Sequence, residues 1–263
     1  MNWDFKPTVI IGCCALLAAY GWVGDWQRRA RAVLWLGGVL LIFIASCSPL
    51  DELADTYLFS VHMAKHIVFV LVVPALLLLA LPPRDGRFSA RLLAPAERFL
   101  GRPPVAWLCG IGAMALWHVP AAFNAALVSE PLHIVEHLSL LIGGTIYWWP
   151  LLTPFRESRM YPVPQAVTYL FTSCVACTAM GILITFAPSL LYPAYAHPRG
   201  VPAIVMEIRN GWRISASMDQ QIGGLLMWVP CCIVYLAGIM AMFGRWYAEE
   251  RQPEEGKAAT VKI

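Results

Sequence analysis

Apolar stretches of about 20 residues recur along this chain, and they constrain its fold more than any other feature. A helix of this length crosses the hydrocarbon core of a bilayer, which is roughly 30 Å thick. Only 13% of the 263 residues are charged, which is about half the share found in soluble domains. The sequence therefore predicts an all-α, polytopic membrane protein in a lipid bilayer, and it offers no basic patch for binding nucleic acid.

Seven apolar segments are long enough to be membrane spans. They cover residues 8–24, 32–49, 57–82, 104–120, 131–150, 164–187 and 220–243. The residues before the first segment carry Asp4 as well as Lys6, unlike the basic start of a signal peptide. We therefore predict a seven-helix transmembrane domain over residues 1–247, followed by a polar, mobile, cytoplasmic tail over residues 248–263.

Arginine and lysine are distributed unevenly among the connections between these segments. The loops after spans 1, 3 and 5, together with the tail, carry 14 of the 19 basic residues. Basic residues accumulate on the cytoplasmic side of membrane proteins. We therefore predict that the N-terminus lies outside the cell membrane and that the C-terminus lies in the cytoplasm.

All six histidines fall toward the outer side in this topology. His62 and His66 lie one turn apart near the outer end of span 3, and His133 and His137 do so in span 5. His118 lies at the outer end of span 4. Residues four apart share one face of a helix, and a polar group in lipid is costly without a partner. We therefore expect these faces to point into the bundle and to meet in one pocket.

Clustered imidazoles in such a pocket indicate a metal site. Neutral imidazole binds copper, zinc, iron and nickel, and a thioether sulfur favours Cu(I). The candidate ligands are His62, His66, His133, His137, His118 and Met63. Met218 lies at the right depth to contribute as well, and Met206 could reach in from the outer connection. For any single histidine, the alternative is a hydrogen bond between helices.

Two charged residues lie close to these histidines in the sequence. Lys65 is expected either to extend to the surface or to balance Glu136 or Asp219, and to point away from a bound cation. Glu136 completes an H-x-x-E-H pattern with His133 and His137, which inverted zinc peptidases also carry. No obvious distant carboxylate ligand follows this pattern, so Glu136 is more simply a residue that orients a histidine ligand.

The eight cysteines lie mostly within the apolar segments, unlike a secreted disulfide framework. Cys174 and Cys177 form a C-x-x-C motif in the middle of span 6, where both sulfurs can face one side. Helix packing is the commoner reason for small residues there, and a metal or redox role is the alternative. The adjacent Cys231 and Cys232 point apart and are expected to serve packing.

The outer connection over residues 188–217 is long, and long ordered loops are usually functional. Its stretch VPAIVMEIRN is compatible with a short interfacial helix over the pocket. A plain connector is the alternative.

Four motifs in this chain resemble one protein family. They are SPLDELADTYLFSVHMAKH, LWHVP, LHIVEHLSLLIGGTIYWWP and DQQIGGLLMWVP, in this order over roughly residues 45–245. Together they resemble the polytopic CtaG family of cytochrome c oxidase assembly factors, not the single-span copper chaperone that shares the name. The resemblance implies a role in making an active aa-type or caa-type oxidase through copper. It implies a multi-pass protein of the bacterial cytoplasmic membrane, with oxidase subunits or a copper donor protein as partners.

The resemblance also implies which positions form the site. The matching positions are His62, Met63, His66, Trp117, His118, His133, Glu136, His137, Asp219, Gln220 and Gln221. Lys65 departs from the family pattern, in which an amide residue is common. We expect the histidines and Met63 to hold copper as Cu(I). The remaining positions are expected to orient the ligands, balance charge or close the pocket by hydrogen bonds.

Three other functions fit parts of this pattern. Histidines on facing helices could ligate a haem iron axially, although the second histidine of each pair would then have no role. A copper transporter would need polar groups through the inner half of the bundle, past Cys174, Cys177 and Met180. A scaffold that only holds oxidase subunits would need no metal. We expect no enzymatic activity.

Overall fold

The computed structural model describes residues 3–82, 99–152, 161–196, 198 and 200–260, and these residues form helices without strands. The helices of nine or more residues within these ranges are α1 (Pro7–Val23), α2 (Arg29–Cys47), α3 (Phe59–Ala80), α4 (Pro103–Trp117), α5 (Pro120–Val128), α6 (Glu130–Leu152), α7 (Val163–Thr185) and α8 (Ala216–Thr260). Each of the seven predicted segments coincides with one of these helices, and α5 is additional.

Four helices, α2, α3, α7 and α8, are long and apolar enough to cross a membrane, and the bent pair α4–α5 is a possible fifth span. This confirms an all-α membrane protein. α1 is shorter, with 17 residues, and α6 carries the polar residues of the H-x-x-E-H motif. The count of seven spans therefore stays a prediction. The orientation of the termini also stays a prediction, and the basic connections over 83–98 and 153–160 lie outside the described residues.

The predicted fourth span ends earlier than expected. Its helix α4 stops at Trp117, and α5 begins at Pro120 after a bend of 73°. Proline suits the first position of a helix, because its missing N–H is not needed there. The sequence motif LWHVP is therefore a break between two helices, and His118 lies in that break.

Helix α3 begins at a cap supplied by another helix. The backbone N–H groups of Phe59 and Ser60 donate to the two carboxylate oxygens of Asp219, at 2.7 and 3.1 Å. Asp219 lies in the first turn of α8 and is buried. A carboxylate at a helix N-terminus satisfies free N–H groups and favours the helix dipole. This contact fixes the start of α3 against the start of α8.

Helix α6 packs very closely against its neighbours. A Cβ atom added at Gly143 would overlap the carbonyl oxygen of Cys109 in α4, and one at Gly144 would overlap that of Val70 in α3. Small residues allow membrane helices to approach in this way. α3 and α4 also contain one π-helical segment each, Val68–Val72 and Leu108–Gly112. These three helices form the frame of the histidine site.

Two short helical segments lie at the same end of the bundle as the Asp219 cap. Residues 49–57 connect α2 to α3, and the predicted short helix in the outer connection is present as Ala203–Met206 followed by Glu207–Gly211. Arg209 joins the two, because its Nη2 donates to the carbonyl oxygens of Tyr57 and Tyr195. The division into residues 1–247 and 248–263 stays a prediction, and the backbone of α8 is helical across that boundary.

Candidate metal centre

The histidines of α3 and α6 lie together inside the bundle. The ring centroid of His62 is 4.5 Å from that of His66, 5.8 Å from that of His133 and 5.6 Å from that of His137. His62 and His66 are fully buried, and His133 is partly buried. The spacing of four residues on each helix turns both of its rings toward the other helix. The sixth histidine, His197, lies outside the described residues.

A carboxylate lies among these rings. His62 Nε2 is 2.9 Å from His66 Nε2, and His66 Nε2 is 3.4 Å from Glu136 Oε1. One ligand atom from each of His62, His66, Glu136 and His137 lies within 4.8 Å of all the others. Metal bonds to imidazole nitrogen or carboxylate oxygen are about 2.0–2.2 Å long, so one ion spans donors roughly 4 Å apart. The group therefore has the size of a single-ion site.

Several atoms of this group that could bind a metal have no hydrogen-bond partner among the described residues. They are both carboxylate oxygens of Glu136, Nε2 of His137 and Nδ1 of His66. Leaving a buried polar atom unsatisfied costs about 1–3 kcal/mol, and more when the group is charged. A cation bound between Glu136 and His137 would satisfy the carboxylate and the imidazole lone pair together.

Asp55 forms a second group with two of the histidines. Its Oδ1 is 3.3 Å from His62 Nδ1 and 3.3 Å from His133 Nε2. Burial raises the pKa of Asp55, but hydrogen bonds from His133 and His62 and the charge of Lys65 lower it well below its ordinary value. An ionised Asp55 holds the proton of His62 on Nδ1, which leaves the Nε2 lone pair free to bind a metal.

Asp55 is not among the site residues predicted from the sequence, although it lies within the family motif that contains His62 and His66. The available signal was a pair of acids four residues apart, Asp51 and Asp55, just before span 3. Residues at this spacing share one face of a helix. From the segment 49–57, Asp51 contacts Lys65 of α3, and Asp55 contacts His62 of α3 and His133 of α6.

Lys65 is buried and pairs with two acids that differ from the pair expected from sequence. Its Nζ donates to Asp51 and, at 3.1 Å, to Asp55. Lys6, next to the start of α1, donates to the other carboxylate oxygen of Asp51. Burial lowers the pKa of Lys6, but its hydrogen bond and attraction to Asp51 raise it above the ordinary value. The charge of Lys65 is thus balanced beside the histidines and is not directed at Glu136.

His118 and Met63 form a pair next to the histidine group. His118 Nε2 is 3.2 Å from Met63 Sδ, and His118 Nδ1 is 2.6 Å from the carbonyl oxygen of Met114. A hydrogen bond to that carbonyl places the proton of a neutral imidazole on Nδ1, so the Nε2 lone pair faces the thioether. The ring of His118 lies 5.2 Å from that of His66. These two candidates border the group of four.

Trp117 supports the backbone of α6 at the site. Its Nε1 donates to Ser139 Oγ at 2.7 Å, and Ser139 Oγ donates to the carbonyl oxygen of Glu136 at 2.8 Å. This chain of hydrogen bonds connects the last turn of α4 to the turn of α6 that carries Glu136. Trp117 therefore acts on the position of Glu136 without touching it.

The candidates at the start of α8 lie away from the histidines. Asp219 caps α3, as described above. Gln220 Oε1 accepts a hydrogen bond from the N–H of Leu191, and its Nε2 donates to the carbonyl oxygen of Ile184. These bonds hold the connection between α7 and α8 against the end of α7. The exposed candidates are Gln221, Met206 and Met218.

A cavity of about 370 Å³ reaches the histidines from between α1, α2, α3 and α6. His133 and His137 line it, and so do Lys6, Asp51 and Lys65. Its apolar wall includes residues of α1, α2 and α6, namely Val9, Leu16, Ile42, Leu138 and Leu141. A metal site needs an entry path, and this cavity borders His133 and His137 on the side of α1.

Fold and site together define a membrane protein with a buried group of metal-ligating side chains. A family model described as cytochrome c oxidase caa3 assembly factor (Caa3_CtaG) matches residues 12–249. The chain therefore belongs to this family, which confirms the resemblance seen in its motifs.

Mycobacterial relatives match nearly the whole chain. An uncharacterized protein of Mycobacterium leprae (strain TN) is 21% identical over 277 residues, covering 95% of this chain and 40% of the relative. Uncharacterized proteins of Mycobacterium bovis (strain ATCC BAA-935 / AF2122/97) and Mycobacterium tuberculosis (strain CDC 1551 / Oshkosh) are each 21% identical over 275 residues, with the same coverage. The chain thus spans about 40% of the length of these relatives. No solved structure matches it significantly.

Proposed function

We propose that this protein supports the assembly of an aa-type or caa-type cytochrome c oxidase by binding copper at the histidine group. Membership of the caa3 assembly-factor family supports the assembly role. The observation that carries the copper assignment is the buried group of His62, His66, Glu136 and His137, with its unsatisfied donor atoms. The role is one of binding and transfer, with oxidase subunits or a copper donor protein as partners, and it includes no enzymatic reaction.

Charge favours a monovalent ion at this position. Cu(I) and one ionised carboxylate from Glu136 carry no net charge together, whereas a divalent ion would leave a positive charge in a poorly solvated site. Imidazole and thioether ligands also suit copper, and the pair of His118 and Met63 lies beside the group. A site of this composition supports Cu(I) as the ion.

We further propose that the chain crosses the bacterial cytoplasmic membrane seven times, with its N-terminus outside and its C-terminus in the cytoplasm. The uneven distribution of arginine and lysine among the connections supports this orientation. The histidine group would then lie toward the outer surface, because His62 is in the first turn of α3 and His133 is in the first turn of α6. An outward site would allow copper to be exchanged with partners on that side.

Packing of the rings favours an ion over a haem. Ring centroids of the four clustered histidines are as close as 4.3 Å, for His133 and His137, and the two rings meet edge to face. The rings that face each other across α3 and α6 are also close, with centroids 5.4 Å apart for His66 and His137 and 5.6 Å apart for His62 and His137. A haem bound by two axial histidines places its macrocycle between them. Rings already in contact leave no room for a macrocycle, whereas a single ion needs only small rotations.

Complementation of a deletion strain tests the proposed function. The strain would receive the wild-type gene, His66→Ala or Gln221→Ala, and the copper content of its purified oxidase would be measured. We expect His66→Ala to lower oxidase copper and activity, because it removes a buried donor. Gln221→Ala is the matched control, since Gln221 is exposed and lies away from the histidines. Membrane abundance of each variant would be compared by immunoblot.

Different results are expected for a scaffold, for a haem-binding protein and for the proposed copper-binding protein. Full oxidase copper with His66→Ala, at wild-type abundance, would contradict a copper role and favour a scaffold that only holds subunits. A Soret band in the purified protein would favour haem binding. Loss of oxidase copper with an unchanged amount of oxidase protein would support the proposal.

A further inference from the structure

Helices α7 and α8 bring four cysteines together, two from each helix. Cys174 Sγ lies 3.0 Å from Cys232 Sγ, and the side chains of Cys177 and Cys231 interact with each other. All four are free thiols. The C-x-x-C motif of α7 thus faces the adjacent cysteines of α8, which sequence analysis assigned to packing.

Close packing of the two helices explains why these thiols meet. Gly181 and Gly224 face one another, because a Cβ atom at Gly181 would lie 2.9 Å from the carbonyl oxygen of Gly224. A Cβ atom at Gly224 would in turn overlap the hydroxyl of Thr185. Residues three apart lie on the same side of a helix, so both sulfurs of the C-x-x-C motif can face α8. The antiparallel α8 then supplies one cysteine opposite each of them.

The thiol pair lies deep within a membrane span. Cys174 is the twelfth of the 23 residues of α7, which places it roughly 16 Å from either end at 1.5 Å per residue. Thr178 Oγ1 lies 3.2 Å from Cys232 Sγ and can donate a hydrogen bond to it. A hydroxyl donor stabilises a thiolate, which would otherwise be poorly solvated at this depth. Thr178 therefore provides a hydrogen-bond donor for one sulfur of the pair when that sulfur is a thiolate.

We propose that Cys174 and Cys232 form a Cu(I) site in the interior of the bilayer, with Thr178 donating to the thiolate. Thiolate sulfur selects soft ions such as Cu(I). Two thiols and one Cu(I) give a complex of one thiolate, one thiol and the ion, and one proton passes to solvent. This complex is neutral, whereas a divalent ion would leave a positive charge in hydrocarbon. The proposal does not depend on metal at the histidine group.

The distance between the sulfurs is within the reach of a single ion. Two metal–sulfur bonds of about 2.3 Å bridge sulfurs up to roughly 4.6 Å apart. The pair is at 3.0 Å, so linear coordination requires the sulfurs to separate by roughly 1.6 Å, and a bent arrangement requires less. Cys177 and Cys231 lie one turn away as a second thiol pair, with Cys177 Sγ 3.8 Å from the hydroxyl of Tyr235. A bound ion at the first pair thus has neighbouring soft donors within the same interface.

Alkylation of the wild-type protein tests the site without any substitution. Full-length protein in detergent, reduced and kept anaerobic, would be treated with a maleimide before and after addition of Cu(I), and each cysteine followed by mass spectrometry. We expect Cu(I) to slow alkylation of Cys174 and Cys232 at least several-fold, while that of the exposed Cys14 stays unchanged. Equal rates at saturating Cu(I) would overturn the proposal.

Competition with a chromogenic Cu(I) chelator gives the affinity. The measurement would use His62→Ala with His66→Ala as the background, so that a failure of the thiol site is distinguished from a failure of the histidine site. We expect this background to retain a Cu(I) ion with copper–sulfur scattering in X-ray absorption. Addition of Cys174→Ser and Cys232→Ser should weaken binding by at least tenfold.

The matched control for that experiment is Cys47→Ser with Cys109→Ser, which replaces two free cysteines on different helices, α2 and α4. This control should bind Cu(I) like its background. An equal loss of Cu(I) binding in the control and in the Cys174→Ser, Cys232→Ser variant would contradict a specific site at α7 and α8.

Discussion

His66 Nε2 lies 3.4 Å from Glu136 Oε1, and both side chains are fully buried. The carboxylate of Glu136 therefore lies among the imidazole rings of the histidine group. The H-x-x-E-H motif of α6 therefore contributes Glu136 and His137 to the same group, in which they meet the two histidines of α3. Under the proposed copper binding, Glu136 supplies negative charge to the bound cation.

Removal of that charge gives the first prediction. Glu136→Gln keeps the size of the side chain but replaces the carboxylate with a neutral amide. We expect affinity for Cu(I) to fall by about 10- to 100-fold, measured by chelator competition in a protein that lacks the thiol pair. Glu130→Gln on the same helix is the control, because Glu130 is exposed. An unchanged affinity in Glu136→Gln would show that the carboxylate takes no part.

A second prediction concerns the buried ion pairs beside the site. Lys65→Met leaves Asp51 and Asp55 without their shared cation, and we expect it to lower stability by about 3 kcal/mol. Lys6→Met should cost less, because Lys6 is 29% exposed and bonds only to Asp51. Thermal unfolding of both variants in the same detergent measures which variant loses more stability. A larger loss for Lys6→Met would contradict this account of the network.

The cavity between α1 and α6 gives a prediction about rate. A Cβ atom at Gly12 or at Gly21 would meet no atom within 4 Å, so both positions accept larger side chains. Gly12 lines the cavity, and Gly21 does not. Gly12→Phe should therefore slow copper loading several-fold without changing the equilibrium affinity, and Gly21→Phe should change neither. Time courses of Cu(I) transfer from a chelator measure the rate, and equal rates in the two variants would exclude this entry path.

Substitution of Asp219 distinguishes two roles for this residue, capping of α3 and orientation of a metal ligand. Asp219→Ala removes the acceptor for the N–H groups of Phe59 and Ser60, and we expect a loss of stability of about 1–2 kcal/mol. Copper affinity, measured below the unfolding transition, should change little. The opposite result, an unchanged stability with a large loss of affinity, would assign Asp219 to the metal site. Gln221→Ala should leave both quantities at wild-type values.

Periodicity explains what sequence alone could predict. His62 and His66 share a helix face, as do His133 and His137, and lipid disfavours polar faces that point outward. Those two facts bring the rings of α3 and α6 together. The same reasoning does not reveal Asp55, because it lies in a π-helical turn outside the spans and its direction depends on how residues 49–57 cross the bundle.

The features that the sequence alone does not predict depend on contacts between helices. Cys231 and Cys232 point in different directions from α8, and only the register of α8 against α7 shows that each faces a cysteine. Pro120 is compatible with the end of a span or with the start of a new helix, and the 73° bend of the structure selects the second. Register and bend angle arise from packing over the whole bundle, so local sequence does not determine them.

Copper content of purified protein tests the central claim most directly. The protein would carry Cys174→Ser and Cys232→Ser, so that copper at this thiol pair is excluded, and it would be loaded with Cu(I), desalted and analysed by mass spectrometry of the metal. We predict about one copper per chain, falling to near zero when His62→Ala and His66→Ala are added. Equal copper in the two proteins, or none in either, would contradict a copper site at the histidines.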